Sequence, residues 1–232
     1  EGGWVVSWID AHGLTASFAP VPAGGLFSTT ASHTRVRVVH LDPGLGDRSV
    51  SLDGVPMTSA ELAPLGATDF VATPFGGFGL WVEGLGSFEP AIGMPATSHT
   101  MALVAGAVLA VPEFTGGQTE DDRTELRLVN AGFEGGVDAR LSDRDDGFDI
   151  GGWSSVPFAS VTEKVLRPKT GGMVLTATAD GVDWIFDIGY MPDYGMTLYL
   201  ARDAEGRPVA AAKSPADGGF YWRLSRAQLA QY

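Results

Sequence analysis

The chain has 232 residues, 44% of them hydrophobic and 19% charged, a globular composition well away from the polar, highly charged range of disordered segments. Its formal net charge of −13 repels phosphate backbones and anionic bilayers, which argues against nucleic acid and membrane surfaces as partners. It has no cysteine, so disulfides, thiolate metal sites and cysteine nucleophiles are excluded.

The chain opens EGGWVVSWIDAHG, without a basic-then-apolar leader, and the expectation is an exported protein after signal-peptide removal. Residues 1–33 read as an arm. Within it Trp4, Val5, Val6, Ser7, Trp8 and Ile9 predict one short strand that is largely apolar on both faces. Left bare, such a strand invites aggregation, so it is expected to complete a sheet edge, in its own chain or in a neighbouring copy. Gly13, Pro20, Pro22 and the Gly24–Gly25 pair suit a flexible reach to either.

At 34–40 the chain reads TRVRVVH, and at 124–130 it reads TELRLVN. Alternation in both predicts strands with Val36, Val38, Leu126 and Leu128 on the buried face; Arg37 and Arg127 then face outward or pair with acidic neighbours. The likeness continues downstream. Ser49 to Leu52, ahead of an Asp53–Gly54 turn, matches Val137 to Leu141, and 62–77 matches 155–172 more loosely. GLWVEG at 79–84 matches 173–181, and the strand–turn–strand pattern of 99–113 matches 195–213. The period is about ninety residues, with six or seven short strands in each copy, the pattern of an antiparallel β-sandwich. The expected fold class is therefore all-β: two tandem sandwiches, 34–113 and 123–213, joined by a linker at 114–122 and followed by a tail at 214–232. In that tail Phe220, Trp222 and Leu224 alternate ahead of a capping pattern at Ser225 and Gln228. The longest apolar run, Met101 to Val111, is too short to span a bilayer as a helix.

The openings RVRVVHLDPG and ELRLVNAG, each followed by a short strand, a Gly-rich alternating segment and a closing hairpin, resemble a bacterial family of unknown function. Its members are tandem immunoglobulin- or transthyretin-like sandwiches of secreted and cell-surface proteins. The resemblance covers about residues 34–213 and rests mainly on the first copy, because Asn130 replaces the histidine and the Asp-Pro turn is missing from the second. It implies an exported, non-catalytic module and supplies no active site.

Candidates for chemistry are few. His12, His33, His40 and His99 stand in no metal-ligand spacing and read as turn-proximal residues with satisfied hydrogen bonds. The glycine-rich stretch 76–86 has no following helix to cradle a phosphate. SDRDDGFDIGGW at 142–153 clusters Asp143, Asp145, Asp146 and Asp149 around Gly147, which makes calcium the candidate ligand and a solvated acidic hairpin loop the alternative. Trp81 and Trp184, at alternating strand positions, are expected in the sandwich core. The function expected is a non-enzymatic extracellular structural or adhesive protein without a resident cofactor, self-associating head-to-tail as a subunit of a fibre or layer. The competing class is a calcium-dependent module for surface glycans or other ligands.

Overall fold

The computed structural model describes residues 3–4, 20–21, 33–74, 77–89, 98–114, 123–189, 195–213 and 220–226. Among these residues the regular secondary structure is almost wholly short β-strands. In the arm, β1 (Gly3–Trp4) pairs antiparallel with β2 (Pro20–Val21). The next strands are β3 (His33–His40), β4 (Val50–Leu52), β5 (Val55–Pro56), β6 (Val71–Pro74), β7 (Leu80–Val82), β8 (Gly86–Phe88), β9 (Ser98–Val104) and β10 (Ala107–Pro112). They form two sheets, ordered β10-β9-β3-β6 and β5-β4-β7-β8.

The second half of the chain writes the same topology again. Its strands are β11 (Arg123–Asn130), β12 (Val137–Asp143), β13 (Asp149–Val156), β14 (Ser160–Val161), β15 (Val165–Pro168), β16 (Met173–Ala179), β17 (Val182–Gly189), β18 (Met196–Arg202) and β19 (Pro208–Lys213). β15 and β14 pair with β11, then β18 and β19 follow, while the other sheet runs β13-β12-β16-β17. Each half thus surrounds its opening strand with an antiparallel partner on one side and a parallel partner, β9 or β18, on the other. Parallel neighbours need a long crossover, and here the second sheet is that crossover. In the first half the opening strand shares its sheet with the fourth, seventh and eighth strands, and in the second with the fourth, fifth, eighth and ninth. Both differ from the immunoglobulin order, where it joins the second, fifth and fourth.

A period of two decides what each strand buries. Val36, Val38, Met101 and Leu103 line one core against Leu52, Leu80 and Val82. Leu126, Leu128, Leu198 and Leu200 line another against Leu141, Leu175 and Phe186. The opposite faces of the same strands are buried too. Val39, Leu41, Ala102 and Val104 of the first half share a third cluster with Val129, Tyr199, Ala201 and Val209 of the second. The parallel-containing sheets therefore lie face to face, and β20 (Arg223–Leu224) pairs with β19 at the margin of the stack.

Two expectations need correction. Trp81 is not in the core: Leu80 and Val82 take the inward positions, so alternation turns Trp81 out, leaving it 42% exposed. Trp184 is half-buried and does pack against the second-half core. His99 is buried, but neither ring nitrogen has a partner among the described residues. His40 behaves as expected, with Nε2 2.7 Å from the Gly46 carbonyl and Nδ1 accepting from the Asp42 amide. Val5 to Ile9, the linker beyond Phe114, and Gln228 lie outside the described residues.

Candidate functional site

The repeated seven-residue motif is an interface element. Its third and fifth residues fill the core of their own half, and its fourth and sixth enter the seam between halves. Arg37 and Arg127, the fourth residues, are 2% and 8% exposed. Each sits beside a threonine of the parallel strand, Thr100 and Thr197 respectively.

The two arginines are satisfied differently. Arg37 Nη2 donates to Glu113 Oε1 at 2.6 Å, and its Nε donates to Thr100 Oγ1 at 2.8 Å. The Thr100 hydroxyl also donates to Glu113 Oε1. Phe70 and Phe220 lie beside the Arg37 guanidinium, 4.5 and 4.8 Å from it to their ring centroids. Arg127 instead rests 4.4 Å from the Phe114 ring centroid, and its Nε has no partner among the described residues. Aromatic faces attract a desolvated cation but do not replace a carboxylate. Burial lowers the Arg127 pKa, opposed by Tyr199, Glu113, Glu125 and Glu163. Arginine nonetheless stays a cation near neutrality. Tyr199 is wholly buried, and burial, reinforced by Glu113, pushes its phenol far above the usual range. Burial also lowers His99, helped by Arg127 and opposed by Glu113, so its imidazole stays neutral near pH 7.

Histidine, glutamate, tyrosine and arginine together resemble a catalytic set, but a reacting site needs access. These side chains are sealed between two sheets, with His99 1%, Glu113 6% and Tyr199 0% exposed. Of these groups Glu113 is bound to Arg37 and Thr100, whereas the His99 ring nitrogens and the Tyr199 hydroxyl have no hydrogen-bond partner among the described residues.

The seventh motif residue organises the turn that follows. Asn130, wholly buried, does with an amide what His40 does with an imidazole. Its Oδ1 accepts from the amides of Gly132 and Phe133, and its Nδ2 donates to the carbonyls of Phe133 and Val156.

The acidic loop closes the β12–β13 hairpin. Asp143 Oδ1 accepts from the amides of Asp145 and Asp146, Asp146 Oδ1 from Phe148, and Asp149 Oδ1 from Gly151. Asp149 also pairs with Arg140 at 3.1 Å, and Arg144 lies 4.0 Å from Asp145. The Gly151 amide and Arg140 hold the Asp149 carboxyl below its ordinary pKa. These carboxylates cap their own backbone, and among the described residues no group of three or more His, Asp or Glu is gathered to hold a metal.

An open groove of about 480 Å³ lies at the other end of the second half, where Glu134, Asp138 and Asp180 rim Ser155, Thr178 and Phe158. Asp138 Oδ1 accepts from the Ser155 amide at 2.6 Å. Of the candidate assembly strand, the structure places the Trp4 backbone opposite Pro20.

No helix among the described residues is long and apolar enough to cross a membrane. Neither a protein-family model nor a curated protein sequence matches the chain. Sequence reasoning missed Glu113 and Thr100 as partners of Arg37. One signal for them was present: Val38–Val39 and Leu128–Val129 are apolar on both strand faces, which marks a strand buried on both sides.

Proposed function

We propose that this chain is a non-enzymatic extracellular protein with a structural or adhesive task, a subunit of a fibre or layer assembled by exchange of its N-terminal strand. Its body is two tandem transthyretin-like sandwiches, spanning 34–113 and 123–213, fused through matching sheet faces. The observation that carries the reading is the seam. Arg37, Glu113, Arg127 and Tyr199, the residues best suited to chemistry, are buried there as joinery, which suits a rigid building block better than a catalyst. The arm supplies what such a block needs for assembly, a segment at 4–9 whose sequence pattern predicts a short strand with apolar residues on both faces. An exchanged arm makes a heterologous, head-to-tail contact, and a contact that does not close propagates as a filament or layer. Electron micrographs of the protein isolated from its native source test this: a repeating array of chains is expected, and dispersed single particles would refute it.

The groove at 134–138 favours a second reading, a ligand- or glycan-binding module, because its acidic rim and the Phe158 ring can accept hydrogen bonds and stack on a sugar. Glycan-array binding reversed by a chelator would support that reading with its calcium dependence. The absence of binding to any glycan would leave the structural role alone.

A further inference from the structure

We infer that the outer edge of β10 is the acceptor for the arm segment 4–9 of a second copy. The inference rests on strand exchange and adds the place where the exchanged strand docks.

The chain itself shows how such an edge is covered. β19 is the counterpart of β10, since Thr197↔Lys213 in the second half corresponds to Thr100↔Val111 in the first. The outer edge of β19 is capped by β20, through Val209↔Leu224 and Ala210↔Arg223. By the same correspondence these positions are Ala107 and Val108 on β10, whose outer edge has no partner strand among the described residues.

That edge is built to accept. Ala105 and Gly106, with φ of 51° and 71°, form the tight hairpin turn before β10. Such a turn makes Val104↔Ala107 a hydrogen-bonded pair, so alternation points the amides of Val108 and Ala110 away from β9. Ala107, Val108, Leu109 and Ala110 are all at least partly exposed. None carries the charge that normally guards an edge, and no register shift breaks the β9–β10 ladder.

The occupant follows from what caps the counterpart. The tail alternates Phe220, Trp222 and Leu224, all packed on the seam cluster. Phe220 stacks on Trp222 and meets Tyr199 edge-on, and Trp222 Nε1 donates to the Leu65 carbonyl at 2.8 Å. The arm writes the same alternation as Trp4, Val6 and Trp8. It also has a counterpart for the Leu65 carbonyl. Leu65 and Ala159, both at positive φ, each stand two residues before a residue paired with the sixth position of the motif, Ala67 with Val39 and Val161 with Val129. An arm tryptophan on β10 would therefore find the Ala159 carbonyl. Within its own chain the arm's Gly3–Trp4 backbone pairs with Pro20–Val21, not with β10.

The test uses the full chain. Hydrogen exchange at Val108 and Ala110 should slow at least about tenfold between dilute and concentrated protein, because open edge amides are poorly protected and paired ones are not. Ala110→Pro removes one outward amide without touching the β9 ladder, and should reduce particles to monomers in light scattering with the melting curve retained. Val6→Pro should do the same and abolish the protection. If Val6→Pro dissolves the assemblies but wild-type Val108 and Ala110 never become protected, exchange stands and β10 is the wrong edge. If assemblies survive Val6→Pro, exchange itself fails and this inference with it. Protection at β10 in a chain that stays monomeric at every concentration would place the arm on its own body and overturn the proposal.

Discussion

Glu113→Gln is the most informative single change in the seam. It keeps the shape of the side chain but removes the carboxylate that Arg37 contacts at 2.6 Å, with the two side chains only 2% and 4% exposed. An arginine left buried without its partner costs about 3–5 kcal/mol. At about 2–4 °C per kcal/mol for a chain of this size, the melting temperature should fall by roughly 6–20 °C. An internal control exists. Lys164 and Glu125 approach equally closely, at 2.7 Å, but are 56% and 31% exposed, so Lys164→Met should cost no more than about 1 kcal/mol. The paired replacement Arg37→Met with Glu113→Leu should recover most of the loss, because apolar side chains of similar volume often replace a buried ion pair at no cost. Calorimetry of the four proteins decides. If Glu113→Gln costs no more than Lys164→Met, the pair is solvated and the two halves do not pack as described.

The remaining predictions use the same calorimetry. Because burial holds His99 below its ordinary value of 6.5, the unfolded chain takes up its proton first as pH falls. His99 therefore contributes a loss of stability that begins as pH drops below about 6.5, and His99→Gln should flatten the profile in that window. Gly132→Ala should destabilise by about 1–3 kcal/mol, since an added Cβ would sit 2.8 Å from the Ala201 carbonyl oxygen in the seam. Millimolar calcium against chelator should leave the melting temperature unchanged, because the 143–149 carboxylates already cap their own amides. A site filled a hundredfold above its dissociation constant would instead add about 2.7 kcal/mol.

Local structure was legible where alternation and turn residues decide it. The repeat at 34–40 and 124–130 and the paired segments 79–84 and 173–181 emerge as topological counterparts, and Asp53–Gly54 forms the turn between β4 and β5. Partnership across long sequence distance was not legible. Glu113 meets Arg37 across 76 residues, and that contact depends on strand register and on one sheet lying over another, which no local pattern encodes. Trp81 was misplaced because hydrophobicity alone favoured the core, whereas its neighbours Leu80 and Val82 had already claimed the inward parity. The match of Asn130 to His40 looked like a weakness of the second copy. It proves to be a substitution between two side chains that both anchor a turn, one through a ring and one through an amide.

Assembly itself is the claim on which the functional reading depends, and light scattering of the full chain over a wide concentration range tests it most directly. Strand exchange predicts a mean mass that climbs without a plateau from the 24.3 kDa of a single chain, and that returns to a single chain when residues 1–10 are removed. A full-length protein that remains a 24.3 kDa monomer at the highest concentration reached would contradict it.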